Sequence, residues 1–228
     1  MERPVKVACV QVEPVVLDRE ATLDKLEKVA AEAAGNGAEL VVFPETFVPV
    51  YPSSLWAKAF AGWANEGAKE TFARLAQESV AVGSPAERRI AAAAQELGIW
   101  IVTGVNEVEP ERPGTIYNSL LYHSPAGELA LHHRKLVPTN HERLVWGQGD
   151  GRGLSAVETG FGRLGGLICW GKKPKRQPRL GGCAPTDARQ RWEPRRSLRR
   201  LECGRKLEPR HHARRRLPSA GSVFRNDP

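Results

Sequence analysis

Four side chains of this 228-residue sequence, Glu45, Lys135, Glu142 and Cys169, have the types that acyl transfer through a thiol requires. A carboxylate can accept the thiol proton, and a cation can stabilise the negative charge that develops on the substrate. Taken singly, they also have simpler interpretations: an inert buried cysteine, a loop acid, a solvated strand-end lysine and a surface ion pair. Each follows a predicted strand or lies in the loop after one, and this shared placement favours the catalytic interpretation.

The elements that would position these residues begin with a βαβ unit. Apolar, β-branched runs predict strands at residues 5–11 and 40–43, and a helical repeat of apolar residues lies between them. The glycines within residues 35–37 predict the end of that helix, because glycine adopts the left-handed conformation that closes many helices. Glu45 would then follow the second strand at a sheet edge.

After Glu45, the sequence predicts one more helix, a third strand and two hairpins. Ser84 is the expected N-cap of the helix and Glu87 its capping-box partner, after a long connection that contains Trp56, Phe60 and Trp63. These aromatic residues could line a pocket or belong to the core. The remaining strands are predicted at residues 100–105, 116–123, 129–134, 155–159 and 164–168, with the last turn at residues 160–162. Hairpins after a βαβ unit favour a mixed sheet.

Charge divides the sequence near residue 170. Residues 1–170 carry 16 Lys and Arg against 21 Asp and Glu, whereas residues 171–228 carry 18 against 5. The second segment contains 14 Arg and 7 Pro and keeps no regular period, so it cannot bury enough apolar surface to fold. We therefore predict a folded domain at residues 1–170 and an irregular or disordered basic tail at residues 171–228. Such a tail could bind nucleic acid non-specifically.

Composition disfavours several classes of protein. The sequence has no apolar run long enough to span a membrane and no apolar segment typical of a secretory signal near its start. Its four cysteines are scattered without a CxxC pair, which argues against a disulfide framework and a structural zinc site. We therefore expect a cytoplasmic protein without membrane attachment.

Four segments of the sequence resemble the nitrilase branch of the carbon–nitrogen hydrolase superfamily, in the same order and with family-like spacing. They contain the runs Phe-Pro-Glu-Thr-Phe, Arg-Lys-Leu-Val-Pro-Thr, Gly-Gln-Gly-Asp-Gly and Gly-Gly-Leu-Ile-Cys-Trp, within residues 42–52, 134–143, 146–151 and 165–170. The resemblance covers residues 5–170 nearly continuously. The Cys-Trp pair and the glycine-rich run look more like true nitrilases than like the amidase or carbamoylase branches.

This resemblance implies an α/β fold, the N-terminal portion of an α-β-β-α sandwich, and a Glu-Lys-Cys triad. By position, Cys169 would be the nucleophile, Glu45 the general base, Lys135 the electrostatic stabiliser and Glu142 a supporting carboxylate. The implied reaction converts a small nitrile to a carboxylic acid and ammonia through a cysteine thioimidate and thioester, with no metal or organic cofactor. A homo-oligomer is also implied. An amidase or carbamoylase with the same triad, and a non-catalytic fragment with a polyanion-binding tail, are the alternatives.

The resemblance changes after Trp170. Family members continue with Glu-Asn and a helix, whereas this sequence continues with Gly171 and a run rich in Lys and Pro. One hypothesis is that residues 171–228 are an out-of-frame translation, because one additional G after the tryptophan codon would turn a glutamate codon into a glycine codon. Since the second half of the sandwich would then be missing, we expect little or no activity from this chain by itself.

Overall fold

The structure is a computed structural model, and it describes residues 4–112 and 114–169. The basic tail predicted at residues 171–228 lies outside the described residues. In chain order the elements are β1 (Val7–Cys9), α1 (Arg19–Gly35), β2 (Leu40–Val42), α2 (Ser54–Phe60), α3 (Glu66–Glu78), α4 (Pro85–Leu97), β3 (Trp100–Val108), β4 (Ile116–His123), β5 (Leu129–Arg134), a 3-10 helix (Asn140–Leu144), β6 (Val157–Thr159) and β7 (Gly162–Leu164).

The first five strands form one mixed sheet in the order β1-β2-β3-β4-β5. β1, β2 and β3 run parallel, with Val7 beside Leu40 and Leu40 beside Trp100. β4 and β5 are antiparallel to their neighbours and form the first predicted hairpin. The parallel pairs require the crossover connections that contain α1 and α4. The βαβ unit and the mixed sheet therefore agree with the sequence-based prediction.

One face of this sheet is covered by α1 and α4. Apolar residues recur on one side of each helix at helical spacing, so both helices present an apolar stripe. Side chains from alternate strand positions, such as Val41, Ile101 and Leu121, belong to the same buried cluster as these stripes. Removal of this apolar surface from water is the main favourable term in folding.

The ends of α1 and α4 follow from local sequence. Gly37 adopts a φ of 81° just after α1, as the predicted helix end requires. Ser84 caps α4, because its hydroxyl accepts the N–H of Glu87. The Glu87 carboxylate reaches back to the N–H of Gly83, one residue before the cap, and its other oxygen contacts His123 of β4. The predicted cap is thus also a link between α4 and the sheet.

The opposite face of the sheet carries the second layer. Val102 and Tyr122 belong to an apolar cluster on this face, and Val157 and Leu164 of the β6–β7 hairpin pack against it. The described residues are therefore layered as helices, sheet and part of a second sheet, which matches the predicted N-terminal portion of a sandwich. Because side chains alternate along a strand, Asn118 of β4 lies on this same face as Tyr122.

The connection between β2 and α4 contains two helices, which the sequence analysis did not predict. The side chain of Asn65 accepts the N–H of Ala68 and begins α3. Leu75 of this helix is fully buried in a small apolar core that also contains Val145 and Trp146. The missed signal was an N-cap residue followed by apolar residues at helical spacing.

The three aromatic residues in this connection have different environments. Phe60 is buried in the same small core, and Trp56 stacks on its ring with a centroid distance of 5.8 Å. Trp63 is 97% exposed. Of the two interpretations left open by the sequence, the core interpretation therefore holds for Phe60.

The last predicted hairpin has a different register. β6 and β7 pair Thr159 with Gly162, so the turn contains two residues and the second strand begins at Gly162. The glycines at residues 165–166 then lie against neighbouring atoms, at distances that leave no room for a Cβ. The prediction of a strand at residues 164–168 was therefore wrong, and Cys169 follows an irregular segment instead.

Candidate active site

Glu45 lies on a bulge of the chain just after β2. Backbone hydrogen bonds to β3 flank this bulge on both sides, so residues 44–46 loop out over Gly104. A Cβ on Gly104 would lie 2.6 Å from the Thr46 nitrogen and 2.8 Å from the Glu45 Cα. Because no other residue type fits at this distance, the position of Glu45 depends on a glycine in the adjacent strand.

Lys135 directly follows β5, and its ammonium group lies between two carboxylates. Its Nζ is 2.9 Å from Glu45 Oε1 and 2.6 Å from Glu142 Oε2. The side chain is only 1% exposed, and Nζ lies 5.5 Å from the centre of the Trp146 ring. Its backbone N–H donates to the Asn118 carbonyl at 2.8 Å, which extends the β4–β5 pairing. Three of the four candidate residues are therefore in direct contact.

Glu142 lies in the 3-10 helix and is buried, so the alternative of a surface ion pair is wrong. The helix begins with a capping box, in which Glu142 Oε2 accepts the N–H and the hydroxyl of Thr139 at 2.6 and 2.8 Å. Its Oε1 accepts the Tyr51 hydroxyl at 2.8 Å. Together with Lys135, four donors surround this carboxylate, and they fix it in one orientation.

These contacts set the charges of the buried groups. Burial alone would lower the pKa of Lys135, but hydrogen bonds to Glu142 and Glu45 raise it above its ordinary value. Burial would raise the pKa of Glu142, whereas hydrogen bonds from Lys135 and Thr139 lower it. Burial and the neighbouring Glu142 raise the pKa of Tyr51. At neutral pH the site therefore holds an ammonium, the Glu142 carboxylate and a neutral phenol.

Cys169 is exposed and follows the buried Ile168. Its φ of 50° lies in the left-handed region, which costs about 1–3 kcal/mol in a non-glycine residue and is often found at functional sites. Cys169 contributes to the raised pKa of Tyr51, so the thiol lies within electrostatic reach of the cluster. In the described part of the chain, no hydrogen bond joins Cys169 to Glu45 or Lys135.

Three further residues belong to this site, and the sequence analysis did not assign them to it. Asn118 Nδ2 donates to Glu45 Oε1 at 2.7 Å. Tyr51 binds Glu142, and its ring packs edge-on against Trp146 with a centroid distance of 5.7 Å. Tyr51 and Trp146 lie within family-like segments, which could have identified them. Asn118 lies in the middle of a strand and carried no such signal.

The acidic groups of this site are neutralised by a side chain. Among residues 4–112 and 114–169, no group of three or more His, Cys, Asp or Glu residues could hold a metal ion. Lys135 lies where a cation between Glu45 and Glu142 is needed.

The described helices include none that is long and apolar enough to cross a membrane.

Comparison with known sequences identifies the family. The family model of carbon–nitrogen hydrolases matches residues 6–180. The bifunctional nitrilase/nitrile hydratase NIT4 of Oryza sativa subsp. japonica is 40% identical over 201 residues, which cover 83% of this chain and 55% of that protein. Nitrilase 1 of Arabidopsis thaliana is 38% identical and covers 83% of this chain and 56% of its own length. The chain therefore belongs to the carbon–nitrogen hydrolase family.

Solved structures share the fold. Saccharomyces cerevisiae Nit3, a member of branch 10 of the nitrilase superfamily, aligns with a TM-score of 0.57 and 23% identity over 74% of this chain and 56% of its own. The NitN amidase from Nesterenkonia sp. AN1 aligns with a TM-score of 0.54 and 21% identity, over 73% of this chain and 57% of its own. The α/β fold class predicted from the sequence is thus confirmed.

The match is partial in length. The chain spans about half the length of the curated relatives it matches. The family-like part extends past residue 170, because the family match ends at residue 180. Residues 1–170 make up less than 83% of this chain, so the alignment with NIT4 also includes residues after position 170.

Proposed function

We propose that this chain carries the catalytic residues of a nitrilase-type hydrolase, with Glu45, Lys135 and Cys169 as the triad and Glu142 as a supporting carboxylate. The proposed substrate is a small nitrile. The observation that carries the proposal is the position of Lys135 Nζ, 2.9 Å from Glu45 and 2.6 Å from Glu142. Family membership and the curated nitrilase relatives support the same class of reaction.

The hydrogen bonds give the two carboxylates different roles. Both oxygens of Glu142 accept donors, four in total, which leaves little capacity to accept a further proton. Glu45 is 28% exposed, and within the described residues no donor contacts its Oε2. We therefore assign proton acceptance to Glu45 and the positioning of Lys135 to Glu142.

In the proposed reaction, Glu45 accepts the proton of Cys169 while the sulfur attacks the nitrile carbon. A carbon–sulfur bond forms, the nitrile nitrogen takes up the proton, and a thioimidate results. One water adds, the carbon–nitrogen bond breaks and ammonia leaves, so that a thioester remains. A second water releases the carboxylic acid and restores the thiol. The overall reaction consumes one nitrile and two waters and forms one acid and one ammonia.

Lys135 would act by charge in each of these steps. Negative charge develops on the atoms bound to the former nitrile carbon, and a fixed ammonium in a dry site stabilises such charge strongly. The raised pKa of Lys135 keeps the ammonium protonated. The exposed Cys169 is accessible to a substrate, as a reactive thiol must be.

The test is ammonia release by the purified chain from aliphatic and aromatic nitriles, with the corresponding amides assayed in parallel. Because the second half of the sandwich is expected to be missing, we expect only weak release from nitriles. We also expect its loss in Cys169→Ala and an adduct on the Cys169 peptide by mass spectrometry. Cys9→Ala is the matched control and should retain the adduct. Release from amides alone would favour the amidase alternative, and equal release by Cys169→Ala would contradict the proposal.

The hypothesis of an out-of-frame segment after residue 170 needs a separate measurement. The nucleotide sequence around codon 170 tests it directly, because another frame should then encode family-like strands. In that case we expect ammonia release to rise when the frame is restored. If no other frame encodes such strands, the hypothesis is wrong.

A further inference from the structure

Asn118 contacts both ends of the proposed base–lysine pair. Its Nδ2 donates to Glu45 Oε1 at 2.7 Å, and its carbonyl accepts the backbone N–H of Lys135 at 2.8 Å. The residue is 1% exposed and lies in the middle of β4, so its position is fixed by the sheet. One rigid residue therefore sets where Glu45 and Lys135 lie relative to each other.

The orientation of the Asn118 amide follows from its neighbours. The NH2 group faces the Glu45 carboxylate, whereas Oδ1 is buried and has no hydrogen-bond partner within the described residues. A flipped amide would place its oxygen against a carboxylate oxygen and lose the only side-chain hydrogen bond of this residue. The amide is thus held with its donor toward Glu45.

The neighbouring Asn106 differs from Asn118 in the partners of its side-chain amide. Asn106 lies directly opposite Asn118 on β3. Its Nδ2 donates to two backbone carbonyls of the chain after β2, and its Oδ1 accepts the Trp146 indole N–H at 2.8 Å. Both ends of its amide are occupied, and none of these partners is a proposed triad residue. Among the described residues, Asn118 instead has a single side-chain hydrogen bond, and that bond goes to the proposed base.

We propose that Asn118 is a positioning residue for Glu45, an inference that rests on the proposed function. The last torsion of a glutamate side chain is soft, so a carboxylate held only by Lys135 can rotate. The second donor, Asn118, fixes Oε1 from another direction and leaves Oε2 as the oxygen that accepts the Cys169 proton. Because misplacement by about 1 Å can cost about 100-fold in rate, loss of this donor should lower kcat rather than raise KM.

The first test replaces Asn118 by Leu, which has a similar size and no donor. We expect kcat for nitrile hydrolysis to fall about 100-fold while KM changes less than about three-fold. Thr103→Val is the matched control, since Thr103 is also buried and its hydroxyl has no partner in the described part of the chain. It lies one strand away on the other face of the sheet, and we expect its kcat to stay within about two-fold.

The second test, Asn118→Asp, separates positioning from a structural role. When protonated, the introduced carboxyl can donate to Glu45 as the amide does. When ionised, it repels Glu45, and this neighbouring charge together with burial should raise its pKa. We therefore expect Asn118→Asp to recover much of the wild-type kcat at pH 5 and to lose it steeply by pH 8. A defect that is the same at every pH would overturn the proposal.

A measurement without turnover keeps the two proposals distinguishable. The rate at which iodoacetamide alkylates Cys169, followed by peptide mass spectrometry, reports on the thiolate that the base produces. We expect Asn118→Leu to slow this rate as much as Glu45→Gln does. A wild-type rate in Asn118→Leu would overturn the positioning role. If the wild-type chain released no ammonia, the proposed function would fail, and the alkylation rates would still decide the role of Asn118.

Discussion

Two buried ionic clusters lie on opposite faces of this sheet. Arg134, the last residue of β5, supplies the cation of one cluster, and the next residue, Lys135, supplies the cation of the other. Arg134 pairs with Glu107 on the face that carries Ile101 and Val105, whereas Lys135 pairs with Glu45 on the opposite face. The Glu107 cluster joins the consecutive strands β3, β4 and β5, whereas the Glu45 cluster joins residues that are 90 positions apart. The two clusters differ in whether donors occupy both oxygens of the carboxylate or only one.

The Glu107 cluster is closed. Glu107 is 2% exposed, and it accepts hydrogen bonds from Ser119, His132 and Arg134, which occupy both its oxygens. Burial would raise the pKa of Glu107, but these donors lower it. Such a saturated carboxylate stabilises the sheet and has no free oxygen for proton transfer.

The Glu45 cluster is open on one side. Glu45 is partly exposed, and its two donors bind the same oxygen. Burial and ion pairing alone therefore do not single out a carboxylate that can accept a proton. Glu45 differs from Glu107 in that, within the described residues, no donor contacts its Oε2.

The largest combined effect on stability and rate is expected for Lys135→Met, which removes the cation shared by two carboxylates. Removal of one partner from a buried ion pair destabilises by about 3–5 kcal/mol, and the loss of transition-state charge stabilisation should lower the rate about 100- to 1000-fold. Urea unfolding and ammonia release measure the two effects. Lys69→Met, at an exposed ion pair, is the control and should change stability by less than about 1 kcal/mol. An unchanged unfolding midpoint for Lys135→Met would contradict the expected contribution of this pair to stability.

The closed and open clusters should respond in opposite ways to the same substitution. In Glu45→Gln we expect the rate to fall about 100- to 10,000-fold. We expect little change in stability, because Glu45 is partly exposed and Lys135 keeps Glu142 as its partner. In Glu107→Gln we expect a loss of about 1–3 kcal/mol of stability and a rate per folded molecule close to wild type. Unfolding curves and kcat for both variants measure this contrast. Similar losses of rate in both variants would remove the distinction between the clusters.

A smaller effect is expected for Gly104→Ala, which tests the bulge that carries Glu45. The added Cβ would overlap the backbone of residues 44–46 and displace them. Overpacking of this kind costs about 1–3 kcal/mol, and displacement of the base should lower the rate about 100-fold. Gly83→Ala is a useful comparison, because nothing lies within 4 Å of its Cβ position, whereas its φ of 81°, which suits glycine, would be strained for alanine. It should lose stability without loss of rate per folded molecule.

The smallest effect concerns pH. The pKa of Glu142 is lowered in the folded chain, so its stabilising contribution is present above its ordinary value of 4.5 and is lost as pH falls through the folded pKa. We therefore expect the urea midpoint to fall less steeply between pH 6 and pH 3 in Glu142→Gln than in wild type. Glu66→Gln, at an exposed ion pair, should keep the wild-type slope. Equal slopes for all three proteins would contradict the lowered pKa.

Local sequence signals predicted most of the sheet and the helices α1 and α4, and they failed where tertiary contacts decide. Ser84 and Gly37 mark helix ends by their own backbone and side-chain preferences, so they were readable. The glycines at residues 165–166 look like part of an apolar strand, but β7 ends at Leu164 and these glycines instead pack closely against Ser155 and Tyr122. Local patterns cannot reveal such contacts, because the partner atoms come from other parts of the chain.

The sequence by itself determined the family, the mixed sheet and the kinds of side chain available for chemistry. Those properties depend on local periodicity and on motifs of a few adjacent residues. Only the tertiary structure decided that Glu142 is buried and saturated, that Asn118 holds Glu45, and that Glu45 keeps one oxygen free. The physical reason is distance along the chain: Lys135 meets Glu45 across 90 positions, and only the packed sheet brings them to 2.9 Å.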